Sequence, residues 1–112
     1  MLEVPVTAWT VTLKDSVVDD LRALGSEEGR AVLTAAVRRL ASDPLAATRN
    51  LKTLRPNAVA ERELRLFGKY RVLFNVEPTE RRVTIVLAGE KRGESLIVQG
   101  RRYTAHESHP TE

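Results

Sequence analysis

The chain has 112 residues, 42% of them apolar and 29% charged, with a formal net charge of +3 and no cysteine. That is the size and composition of one globular domain. Disulfides and thiolate chemistry are excluded, a zinc site would have to come from His106, His109 and carboxylates alone, and no apolar run approaches the roughly 18 residues of a membrane helix.

In chain order, WTVTL at residues 9–13 alternates bulky apolar residues with threonine, as a half-buried strand does. The spacing then turns helical. Val17, Val18, Leu21 and Leu24 share a face, Ser16 with Asp19 resembles a capping box, and Gly25 supplies a stop. A second helix is predicted to open at Ser26 with Glu27 and Glu28 in its first turn, to bury Leu33, Ala36, Val37 and Leu40, and to end before Pro44. So short a link between the helices implies an antiparallel or sharply angled pair. Residues 45–59 read as a loop, and RELRLF, KYRVLFNVE and RRVTIVLAGEKRG as three strands, the last two joined by a turn at PTER. SLIVQG adds a short strand and RRYTAHESHPTE a polar tail, so residues 1–105 are expected to be one domain and 106–112 its tail. This order predicts an α+β fold: an N-terminal strand, then a helical hairpin packed on one face of a three- to five-stranded, mainly antiparallel sheet.

By the period of two, Tyr70, Val72, Phe74 and Val76 point to one face of their strand and Arg71, Leu73, Asn75 and Glu77 to the other. The first set makes the better core, which leaves Arg71 on a face expected to be partly open. There it is either a charge paired with Glu61 or Glu63 across the sheet or part of a site. Charge is distributed unevenly: residues 1–64 hold nine Lys or Arg against nine Asp or Glu, residues 65–102 nine against four. Such an excess suits a phosphate or an acidic protein surface. Arg81 and Arg82 read as solubilising a turn, Trp9 as a core anchor, and His106 and His109 as bystanders on the tail.

The run LRLFGKYRVLFNVEPTERRVTIVLAGEKRG, preceded by NLKTL and the helical hairpin, resembles the RelE/ParE superfamily of toxins from bacterial type II toxin–antitoxin systems. The likeness lies in a strand ending at Leu64 and Arg65, a glycine turn, YRV beginning at Tyr70, and a later strand running into AGEKRG. It implies a toxin neutralised by a cognate antitoxin; the N-terminus without a basic region, the lack of a long apolar run and the lack of cysteine fit a cytoplasmic location with no membrane, and no cofactor or metal is expected. RelE-like members bind the ribosome and cleave mRNA. ParE-like members poison DNA gyrase, and a degenerate member would only hold its antitoxin. Fold does not choose among these.

Cleavage by a 2′-hydroxyl attacking the adjacent phosphate needs a proton acceptor, a proton donor and cations for the charge that builds on phosphorus. The resemblance implies Arg71 for a bidentate phosphate contact, Lys91 and Arg92 after the glycine, Arg65 on the neighbouring strand, and Tyr103 in place of the family's C-terminal tyrosine. One departure stands out. Where the ribosome-dependent nucleases carry lysines, this chain has Glu61 and Glu63.

Overall fold

A computed structural model describes residues 8–103. Its elements are β1 (Thr10–Leu13), α1 (Asp15–Ala23), α2 (Ser26–Ser42), β2 (Leu51–Thr53), β3 (Arg62–Leu66), β4 (Tyr70–Glu77), a 3-10 turn (Pro78–Glu80), β5 (Arg82–Arg92), β6 (Ser95–Val98) and β7 (Arg101–Tyr103). The sheet runs β2-β3-β4-β5-β6-β7 with antiparallel neighbours, and β1 pairs parallel with the first half of β5. The α+β arrangement is as expected, but with seven strands. β2 and β7 arise where the sequence predicts a loop and a tail, because three-residue strands are too short for their alternation to register. The remainder of the expected tail, with His106 and His109, lies outside the described residues, as do residues 1–7.

The helices cover one face of the sheet. Val17 and Leu21 of α1 and Val32, Ala36 and Leu40 of α2 pack with Leu51, Leu64, Val72, Phe74, Val83 and Ile85 as the main core. α1 begins at Asp15 after an extended Lys14 without a side-chain cap, so Ser16 lies inside the helix and the expected capping box does not form. Val18 and Val37, predicted in the apolar stripes, are exposed, while Asp20 and Gly29 are buried. Gly29 explains the tight hairpin: a Cβ there would collide with the Leu21 carbonyl, so only glycine lets α2 lie so close to α1.

One irregularity in β5 decides which residues share a face. Leu73 pairs with Leu87 but Phe74 with Ile85, which leaves Val86 as an extra residue. Such a bulge reverses the alternation. Val83 and Ile85 join the helical core, Leu87 goes to the opposite face, and Ala88 returns to the core. The opposite face is not open as expected. Leu73, Leu87 and Ala60 are buried there beneath Leu54 and Val59 of the β2–β3 loop and Leu96, Val98 and Tyr103 of the β6–β7 hairpin.

Trp9 packs against the main core, as predicted for an anchor. Arg81 does more than solubilise its turn. It adopts φ 50°, its guanidinium lies 4.6 Å from the centre of the Trp9 ring, and its carbonyl accepts the Thr10 N–H at 3.0 Å. Arg81 thus fastens β1 to the β4–β5 turn, whereas Arg82 pairs with the exposed Glu77 and Glu80. Arg81→Ala is expected to lower stability by about 1 kcal/mol, read from urea unfolding followed by Trp9 fluorescence.

Candidate functional site

Register and the β5 bulge bring four of the five sequence-predicted residues to one face. Arg65 lies opposite Arg71 across β3 and β4, and Arg71 opposite Gly89 across β4 and β5. Lys91, two residues after Gly89, lies opposite Leu96, which in turn lies opposite Tyr103. By the alternation of strands, Arg65, Arg71, Lys91 and Tyr103 share the face that carries Leu73 and Leu87. Arg92 does not: it falls on the other side of β5 and pairs with Glu90 at 3.2 Å. Sequence adjacency grouped Lys91 with Arg92, and the pleat parts them.

Arg71 is 8% exposed, far more enclosed than a charge at the end of a strand would be. Its Nη1 donates to the carbonyl oxygens of Gly68, at 3.2 Å, and Tyr70, at 3.1 Å. The β3–β4 turn aims the first of these carbonyls: Phe67 and Gly68 both take left-handed backbone conformations, φ 53° and 79°. The glycine turn and the arginine three residues later are therefore one structural unit.

Glu63 is the acidic partner. Its Oε1 lies 3.4 Å from Nε of Arg65 and its Oε2 4.0 Å from Nε of Arg71, so one carboxylate spaces two guanidinium groups. Glu61 serves elsewhere, accepting the Val76 N–H at 3.0 Å and so tying the start of β3 to the end of β4. Burial pulls the Arg71 guanidinium below its ordinary value; Glu63 opposes that shift and Arg65 adds to it. Arginine titrates so far above neutrality that the group stays charged. Among the described residues Nη2 of Arg71 has no partner, and Lys91 forms no ion pair. Half-exposed Arg65 and Lys91 with one edge of Arg71 thus present positive charge to an incoming anion. Tyr103 lies on the same face, two strands from Lys91, as part of the apolar cover.

Gly89 stands in the middle of this face. A Cβ there would come within 2.6 Å of the Ile97 carbonyl oxygen and 2.9 Å of Val98 Cγ2. The missing side chain lets β6 fold close over β5, with the Ile97 carbonyl, Val98 and Leu96 taking the place a side chain would fill. No group of metal-binding side chains exists among the described residues, and no helix there is long and apolar enough to cross a membrane.

A second feature lies on the helical side. A groove of about 310 Å³ runs between α1 and α2, floored by Leu13, Val18, Leu21 and Leu33 and flanked by Arg22 and Arg30. The sequence signals apolar faces on both helices but not that their seam is left uncovered. Asp20 was missed as well. It occupies a buried α1 position, three residues after Val17, and a carboxylate at that spacing on an apolar stripe is the signal that would have found it.

No protein-family model matches the sequence, and no curated protein matches it. Solved structures do. The chain is similar to one from the toxin–antitoxin complex RelBE2 of Mycobacterium tuberculosis, with 25% identity, a TM-score of 0.66, and coverage of 80% of this chain and 98% of that one. It is also similar in fold to one from the archaeal RelE–RelB complex of Pyrococcus horikoshii, with 22% identity, a TM-score of 0.60, and coverage of 79% and 99% respectively.

Proposed function

Because the chain is by its fold a RelE/ParE superfamily protein, we propose that it is the toxin of a type II toxin–antitoxin pair and that it arrests translation by cutting mRNA on the ribosome. The observation that carries this reading is the cationic face: Arg65, Arg71 and Lys91 on three successive strands, with Nη2 of Arg71 unpartnered among the described residues. Cleavage proceeds by attack of a ribose 2′-oxygen on the adjacent phosphorus, its proton passing to solvent water, with departure of the 5′-oxygen. The guanidinium groups take the negative charge that grows on the phosphoryl oxygens, and the Lys91 ammonium supplies a proton to the leaving oxygen. Glu63 bridges Arg65 and Arg71 and so offsets their mutual repulsion.

The antitoxin reading is supported by the α1–α2 groove, whose apolar floor and arginine rim suit an amphipathic helix with acidic flanks. Val18 is 42% exposed and lines that floor, so Val18→Asp disturbs little of the core. This variant is expected to arrest growth like the parent but to bind its antitoxin at least about tenfold more weakly, as measured by calorimetry. Equal affinity would place the antitoxin elsewhere on the surface.

The carboxylate between Arg65 and Arg71 favours a second reading, because it reduces the charge offered to RNA: the same fold would then act on DNA gyrase by protein contacts. Primer extension on a defined mRNA in a translating extract separates the two. Cuts that follow the reading frame and disappear when ribosomes are removed support the nuclease. Intact mRNA together with loss of gyrase supercoiling supports the second reading.

A further inference from the structure

Asp20 is 3% exposed and, among the described residues, has no cationic partner. A buried carboxylate is costly unless hydrogen bonds replace the water it loses. Here two do. Oδ2 accepts the backbone N–H of Ala88 at 3.0 Å and Oδ1 accepts Nε2 of Gln99 at 2.6 Å. Both donors belong to the region where the sheet is least continuous. The β1 ladder on β5 stops at Ile85, and β6 pairs with the same edge only from Glu90 onward. Asp20 stands in that interval, next to the Val86 bulge, and takes an N–H that no strand can reach. A leucine would fill the position more cheaply but would leave the Ala88 N–H unsatisfied and Gln99 unheld.

Gln99 is the first of two left-handed residues at the tip of the β6–β7 hairpin, φ 54° followed by Gly100 at 78°. That hairpin meets β5 through three residue pairs and is closed by three of its own, and a two-stranded unit this short is marginal without further anchorage. It carries Tyr103 onto the cationic face.

We propose that Asp20 is a positioning residue: a carboxylate of the helical layer that holds the β6–β7 hairpin through Gln99 and so fixes Tyr103 on the face that carries Arg71 and Lys91. The inference rests on reading that face as the working site, but the link itself can be tested without any activity. The chain has only two tyrosines, Tyr70 and Tyr103, so 3-fluorotyrosine labelling gives one ¹⁹F resonance from the main core and one from the hairpin. Gln99 is exposed, so Gln99→Ala removes the link without opening the core.

The expected result is that Gln99→Ala shifts or broadens the Tyr103 resonance, leaves that of Tyr70 unchanged, and keeps the thermal midpoint within about 3 °C. Gln99→Lys, which restores a donor to Asp20, is expected to return the Tyr103 resonance to its parent position. In the mRNA assay Gln99→Ala loses about tenfold in rate, and it adds nothing in a chain that already carries Tyr103→Ala. An unmoved Tyr103 resonance, or equal shifts at both tyrosines, overturns the proposal. A parent protein that leaves mRNA intact while the resonances behave as expected overturns the nuclease reading and leaves the link standing.

Discussion

Arg71→Ala is expected to lower mRNA cleavage in a translating extract by about 10²-fold or more and to abolish growth arrest, because it removes the most enclosed cation on the face and with it the preorganised field at the phosphate. Arg71→Lys should recover little. The native side chain works through geometry: Nη1 is shared between two carbonyls, Nε is directed at Glu63, and Nη2 is left for the ligand. A lysine ammonium cannot keep those separate directions from one stem. The control is Arg92→Ala, which alters a charge on the other side of β5 and should leave the rate within about twofold. Equal losses in Arg71→Ala and Arg92→Ala would mean that net charge matters and the face does not. A fully active Arg71→Ala chain would return Arg71 to a structural role, clamping the β3–β4 turn.

Gly89→Val is expected to cost about 3 kcal/mol in stability, measured by urea unfolding. A Cβ at this position meets a backbone oxygen, which cannot rotate away as a flexible side chain would, so β6 must lift from β5. Activity should fall further than the loss of folded protein explains, since lifting β6 also displaces the hairpin that carries Tyr103 onto the cationic face. Gly68→Ala has a different expected signature. Open space surrounds that position and only its φ of 79° opposes a side chain, so the cost is about 1 kcal/mol and the strand spacing is kept.

Much of this architecture was legible without coordinates because it depends on local periodicity. The alternation in YRVLFNVE placed Tyr70, Val72, Phe74 and Val76 in the core and Arg71 on the reverse face, and that is where they are. The helical hairpin followed from two apolar stripes and a short link. Errors came where a few residues had to carry the signal: β2 and β7, the capping box, and the outer valines of both helices.

The candidate site was legible only in part, and the division has a physical cause. The resemblance to the RelE/ParE superfamily nominated Arg65, Arg71, Lys91, Arg92 and Tyr103. Which of them meet depended on register, which is settled by pairing between residues far apart in the chain. The extra residue at Val86 turned Lys91 toward Arg71 and Arg92 away from it. Of the two glutamates considered as partners for Arg71, the cross-strand diagonal chose Glu63, while Glu61 became a backbone acceptor. The closing of the second face by the β2–β3 loop and the β6–β7 hairpin, and the Asp20 link that holds the hairpin, lie on the same nonlocal level. The sequence by itself determined an α+β domain with a cationic β-rich half, since composition and period are properties of neighbours along the chain. The tertiary structure decided which cations share a face, because a bulge of one residue reverses every side chain that follows it in a strand.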